Sequence, residues 1–167
     1  TRSWKAALPA GTETGTTIYE RGAATPLLPA STAKIATAVA ALTALPPEQR
    51  LTTRAVAGAT PGEVVLVGGG DPTLAGPTAP VSYPAPARLA DLAVRARAAL
   101  GTTAVTRVLV DETLYSGERL GDGWKDSHVT EGAGAPVGPL SVDGGRVRPD
   151  RVRRHLDPAV AAGKAFA

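Results

Sequence analysis

Pro29-Ala30-Ser31-Thr32-Ala33-Lys34-Ile35-Ala36-Thr37-Ala38-Val39-Ala40-Ala41-Leu42-Thr43-Ala44-Leu45, closed by Pro46-Pro47, is the stretch whose reading decides the fold. Pro29 fixes the entry, and Ser31 or Thr32 can cap the first turn of a helix spanning 31–45. Ile35, Val39 and Leu42 fall on one stripe, and the opposite side is mostly Ala and Thr. A helix apolar nearly all round is expected to be buried, and the proline pair ends it. Residues three apart share a helix face, so Lys34 can reach the Ser31 hydroxyl. A serine attacks only when a base takes its proton, and a lysine amine serves once it is desolvated. The helix N-terminus adds free N–H groups for an oxyanion. The same pattern also fits a helix cap beside a solvated lysine.

The rest of the composition narrows the classes. The 167 residues carry 43% hydrophobic and only 4% aromatic side chains, so a core must be mostly Ala, Val and Leu. Nineteen Gly and fifteen Pro predict many turns. No cysteine occurs, which excludes disulfides, thiol catalysis and Cys-ligated metals. His128 and His155 lack a second ligand at helical spacing, so neither a zinc site nor any other metal centre is expected. The net charge is +3, and the densest basic run, 146–154, holds Arg146, Arg148, Arg151 and Arg153. It has no interleaved aromatics and reads as a solvated segment, not a nucleic-acid surface. No apolar stretch reaches membrane-spanning length and none resembles a signal peptide. A chain starting at Thr1 suggests a processed product whose export signal is gone.

Outside the helix, Thr16-Thr17-Ile18-Tyr19-Glu20 reads as one strand of a hairpin. Glu63–Val67 reads as a buried strand closed by Gly68-Gly69-Gly70-Asp71-Pro72, Arg88–Leu100 as an amphipathic helix capped by Gly101, and Val105–Asp111 as a strand. Strand, helix and strand predict a small α/β unit covered on one or both faces. In the helix, Leu89, Leu92, Ala96 and Ala99 are expected inward. Residues 112–136 show no period and read as a long loop, with Trp124 and Tyr115 as anchors and Glu112 and Glu131 as isolated surface carboxylates. Asp157-Pro158 opens a last helix, with Asp157 as cap and Pro158 at its first position. Gly68-Gly69-Gly70-Asp71 is not followed by the Lys-Ser or Lys-Thr of a phosphate loop, so it reads as a turn.

Serine and lysine in S-x-x-K spacing, joined by S-D-N and K-T-G motifs, mark penicillin-binding proteins and class A β-lactamases. Pro29-Ala30-Ser31-Thr32-Ala33-Lys34 resembles the first of these motifs. Val65-Leu66-Val67-Gly68-Gly69-Gly70-Asp71-Pro72-Thr73-Leu74 resembles a segment of the S13 D-alanyl-D-alanine carboxypeptidases of the penicillin-binding protein 4 type. Val108–Asp111, Gly123-Trp124 and Ala135-Pro136-Val137-Gly138-Pro139-Leu140-Ser141-Val142-Asp143 also resemble that family, in its order, from about residue 15 to 167. The resemblance implies an α/β (α+β) serine transpeptidase/β-lactamase-like catalytic domain, incomplete here, with a small inserted α/β domain. Residues 1–50 and 126–167 would belong to the catalytic part and 51–125 to the insertion. It further implies that Ser31 is the acylated nucleophile, Lys34 its general base and Ser141 a proton relay, with Asp143 on the substrate. The activity implied is that of a D,D-carboxypeptidase or endopeptidase. It would act on peptidoglycan stem peptides outside the cytoplasm, be inhibited by β-lactams and need no cofactor.

Two departures set the alternatives. Position 143 is Asp where the second motif carries Asn, and an ionised Asp accepts but cannot donate. A carboxylate beside Lys34 would also favour the ammonium form. Asp143-Gly144 is equally a hairpin-turn signal. The K-T-G motif is absent, since Lys164 lies in the last helix, which suggests the N-terminal part of a longer protein. The competing readings are a non-catalytic module of the same family, and an esterase or β-lactamase using the same S-x-x-K pair.

Overall fold

The structure is a computed structural model and describes residues 4–6, 19–79 and 85–167. Two compact units divide the chain, Thr1–Gln49 and Arg50–Ala167. The first unit contains β1 (Trp4–Ala6) and β2 (Tyr19–Arg21), paired antiparallel with Trp4 opposite Arg21. Thr16-Thr17-Ile18 of the expected hairpin strand lie outside the described residues. A 3-10 turn over Ala30–Thr32 leads into α1 (Ala33–Ala44). The helix starts two residues later than its sequence suggests because the entry turn is tighter than α. Leu45 ends it in extended conformation just before Pro46-Pro47, as a residue preceding proline must. Every residue of α1 is exposed, with Ile35 at 66% and Leu42 at 78%. The expectation of a buried helix is therefore corrected: its apolar stripe of Ile35, Val39 and Leu42 is exposed.

The second unit is built on a three-stranded sheet of β3 (Arg54–Ala57), β4 (Glu63–Val67) and β5 (Arg107–Asp111). β4 is central, antiparallel to β3 and parallel to β5. α2 (Leu89–Leu100) makes the crossover between the parallel pair, which such a connection requires. Its first amide is satisfied without a side-chain cap, because Leu89 N–H donates to the Ala75 carbonyl at 2.9 Å. Gly101 ends it at φ 60°, the left-handed region where a Cβ is costly. Leu89 is buried and Leu92 and Ala96 half-buried, but Ala99 is exposed, contrary to expectation.

Burial along β4 alternates, with Val64 and Leu66 buried and their neighbours half-buried. That is period-two patterning with one face turned to a core. Leu66, Leu74, Leu89, Leu140, Ala159 and Ala162 form the core, with Leu92, Val110, Val142 and Phe166 packed against it. Ala159 and Ala162 come from α4 (Pro158–Phe166), whose start follows the sequence reading. Asp157 Oδ1 accepts from Val160 N–H at 3.0 Å, with Pro158 in the first turn. Small residues let α4 approach β5 closely, and a Cβ on Gly163 would stand 2.7 Å from Val110 Cγ1. α4, expected in the catalytic part, thus shares its core with β5 and α2, expected in the insertion.

Residues 112–136 are not structureless. α3 (Asp126–Thr130) lies within them, and its Val129 is fully buried. Glu112 is not isolated either, since Arg119 pairs with it at 2.6 Å. The glycine run after β4 is a packing junction. Gly68 N–H donates to Asp111 O, Gly70 N–H donates to Pro139 O, and a Cβ on Gly69 would stand 2.2 Å from the Thr52 carbonyl.

Two carboxylates stabilise the ends of this sheet. Thr60 N–H donates to Glu63 Oε2 at 3.2 Å, and Arg107 pairs with Oε1 at 3.2 Å; the Thr60 bonds, with smaller help from Arg107, hold the carboxyl below its ordinary range. Thr113 donates its N–H and hydroxyl to Asp111 Oδ1, which lowers that carboxyl likewise. A carboxylate whose folded pKa is depressed contributes stability above its unfolded pKa and loses it as pH falls through the folded value. The urea midpoint should therefore drop between neutral pH and about pH 3, and drop less in Asp111→Ala. Equal midpoints at both pH values would contradict this account.

Candidate active site

The geometry around Ser31 begins one residue earlier. Ala30 sits at φ 46°, a left-handed conformation that costs a residue with a Cβ roughly 1–2 kcal/mol. Nothing in an Ala-rich sequence signals that; Gly or Asn would have. Such strain concentrates at functional positions, and here it immediately precedes the candidate nucleophile. Thr32 N–H donates to the Pro29 carbonyl at 3.0 Å, and the Thr32 hydroxyl donates to the same carbonyl. Neither Ser31 nor Thr32 caps the helix, contrary to expectation. The Ser31 hydroxyl is left for Lys34, whose Nζ lies 3.1 Å from Ser31 Oγ. That is within the 2.6–3.2 Å window of a proton-transfer pair. The helix turn brings these two predicted residues together as their spacing requires.

Ser141 and Asp143 lie in the second unit. Ser141 is half-buried between Leu140, which is fully buried, and Val142, which packs on the core. Asp143 opens a left-handed turn, with φ 54° followed by Gly144 at 62° and Gly145 at 73°. Two successive positive φ values are what a type I′ turn needs, so the local Asp-Gly turn forms, but as a 3-10 turn over Asp143–Gly145 with no strand leading into it. Asp143 N–H donates to the Leu74 carbonyl at 2.9 Å, and its Oδ1 accepts from Gly76 N–H at 2.8 Å. The carboxylate thus holds the 74–76 segment, a role its sequence context does not reveal because the partner is 67 residues away. Asp143→Ala should cost about 1–3 kcal/mol, by leaving the amide of the buried Gly76 unpaired. A denaturation midpoint equal to that of the parent would remove this role.

Among the described residues no group of three His, Asp or Glu side chains could hold a metal ion, and no helix is long and apolar enough to cross a membrane. His128 is engaged locally, accepting through Nδ1 from Lys125 N–H at 3.0 Å and meeting Trp124 edge-on at 5.5 Å. Trp124 is therefore an anchor for α3. Arg154 breaks from the solvated reading of its segment: its Nε and Nη1 are buried without a hydrogen-bond partner. Burial, then the neighbouring Arg146 charge, pushes the Arg154 guanidinium down from its usual range.

Residues 5–162 match the family described as D-Ala-D-Ala carboxypeptidase 3 (S13). The chain is 44% identical over 164 residues to the carboxypeptidase DacB of Mycolicibacterium smegmatis, covering 93% of this chain and 34% of that protein. A carboxypeptidase of Mycobacterium tuberculosis is 42% identical over 160 residues, with 92% of this chain and 34% of the relative covered. A D-alanyl-D-alanine carboxypeptidase of Actinomadura is 33% identical over 138 residues, covering 78% of this chain and 24% of the relative. The chain thus spans about a third of the length of the first two. No solved structure matches it. With almost its whole length matched in a single family, and two relatives above 40% identity, the chain belongs to the S13 family of D-Ala-D-Ala carboxypeptidases.

Proposed function

We propose that this chain carries the nucleophile and general base of a serine D,D-carboxypeptidase or endopeptidase, acting on peptidoglycan stem peptides outside the cytoplasm. The observation that carries the reading is the 3.1 Å approach of Lys34 Nζ to Ser31 Oγ, at a helix start preceded by the left-handed Ala30. Lys34 Nζ takes the hydroxyl proton as Ser31 Oγ attacks the carbonyl between two D-alanines, and returns it to the departing amine. The tetrahedral intermediate collapses, the C–N bond breaks, and the departing amine takes a proton, giving D-alanine and a seryl ester. Water then hydrolyses the ester and restores Ser31. In an endopeptidase only the leaving amine differs, and a β-lactam forms the same ester by ring opening. No metal or organic cofactor is required by these steps.

A lysine acts as base only in an enclosure that disfavours its charge, whereas α1 is exposed among the described residues. In this reading the cover comes from the part of the protein corresponding to the remaining two-thirds of the relatives. Residues 1–50 and 126–167 would belong to the catalytic part, with 51–125 inserted between them in sequence. Ser141 would relay the proton to the leaving amine. Asp143 would meet substrate through Oδ2, as an acceptor only, while Oδ1 keeps its bond from Gly76 N–H.

The engaged Asp143 carboxylate and the uncovered α1 favour one second reading, a family member that keeps the fold and lacks the chemistry. Fluorescent penicillin separates the two. The full-length protein should become labelled, with the adduct mapped to Ser31. A folded, unlabelled protein would leave the non-catalytic reading standing.

A further inference from the structure

The second unit holds a cleft whose basic lining the acylation steps above do not use. A cleft of about 570 Å³ opens between the 76–78 segment, the 142–149 segment and α4. Arg146, Arg148, His155 and Lys164 line it, together with Asp143 and Asp157. Both of those carboxylates are already committed, Oδ1 of Asp143 to Gly76 N–H and Oδ1 of Asp157 to Val160 N–H. Arg148 is paired with Asp150 at 3.2 Å. Arg146 reaches only a backbone carbonyl, that of Asp143, and Lys164 has no ion-pair or hydrogen-bond partner among the described residues. Beside the cleft stands Arg154, whose Nε and Nη1 are buried and unpaired. A Cβ on Gly144 would lie 3.3 Å from Arg146 Nη1 and 3.9 Å from Arg154 Nη1, so both guanidiniums lie near that glycine.

Arg146 and Arg154 repel each other, Asp143 and Asp157 offset only part of the positive charge that Arg146, Arg148 and Lys164 bring to the cleft, and a buried unpaired charge is costly. The arrangement persists at a gain only if an anion neutralises it. A planar carboxylate suits a single guanidinium fork, whereas a tetrahedral oxyanion can accept from donors arriving in different directions. We propose that this cleft is a phosphate-class oxyanion site, with Arg146 and Lys164 as direct donors and Arg154, near Arg146 but outside the lining, adding positive charge. Inorganic phosphate and the phosphodiester groups of an anionic envelope polymer share this chemistry.

The test titrates the full-length protein with inorganic phosphate and, separately, with polyglycerol phosphate, by calorimetry at constant ionic strength. Saturable binding to either probe is expected; tighter binding of the polymer points to an envelope source, and binding of phosphate alone to the free ion. Arg146→Gln should weaken binding about tenfold or more, as expected for a lost charge-assisted contact. Arg146→Lys should retain most of the affinity and serves if the glutamine variant does not fold. Arg154→Met should weaken binding while raising the melting temperature of the ligand-free chain, a pairing that a merely structural arginine would not show. Arg151→Gln, at a residue paired with Asp150, should leave affinity unchanged. Absence of saturable binding to both probes, or equal losses in Arg146→Gln and Arg151→Gln, overturns the proposal.

Discussion

Lys34→Met in the full-length protein is expected to slow acylation of Ser31 by a β-lactam roughly a thousandfold, the order of effect for removing a general base. Methionine keeps the length and the apolar stem of the lysine side chain and removes only the amine. Lys34 Nζ lies 3.1 Å from Ser31 Oγ, so the variant deletes the proton acceptor and leaves the 3-10 turn at Ala30–Thr32 untouched. The turn is held by the two Thr32 bonds to the Pro29 carbonyl, neither of which involves Lys34. Ser31→Ala should abolish the adduct altogether, since no other oxygen occupies its place. The measurement is the rate of fluorescent-penicillin labelling in stopped-time assays. A variant that labels at the parental rate would assign the lysine to helix packing or solubility instead.

Leu66→Ala is expected to destabilise the second unit by about 2–5 kcal/mol, the range for emptying a buried leucine site. Leu66 is 0% exposed, on the inward face of the central strand. It meets Leu89 of α2, Leu140 of the 137–142 segment and Ala159 and Ala162 of α4 in one cluster. These parts come from four separate stretches, and the surrounding residues are too constrained by the sheet to close the cavity. Against a total stability of about 5–15 kcal/mol for a domain, the loss leaves a substantial unfolded population. Val65→Ala, one residue along on the half-buried side, should cost much less. Urea midpoints for the two variants check the difference. Similar losses at both positions would mean that the sheet is covered on both faces rather than one.

The legible parts of this chain were those where chemistry acts over a few residues. Asp157-Pro158 starts α4 as a cap and first-turn proline because both effects lie within one turn. The Ser31–Lys34 approach follows from the helical repeat, and Glu63–Val67 from its β-branched, apolar composition. α3 escaped because five residues are too few to show a period, and its Val129 is buried by tertiary packing alone.

By itself, then, the sequence determined the S-x-x-K pair, the strand-helix-strand core and the family, because local periodicity and ordered motifs need no partner to be read. The tertiary structure decided what depends on partners distant along the chain. It assigned the Asp143 carboxylate to Gly76, since that amide would otherwise be buried unpaired. It turned Arg154 inward beside Arg146, out of a segment whose composition reads as solvated. It left α1 exposed despite an apolar circumference, because hydrophobicity creates the demand for burial while only neighbouring chain can meet it.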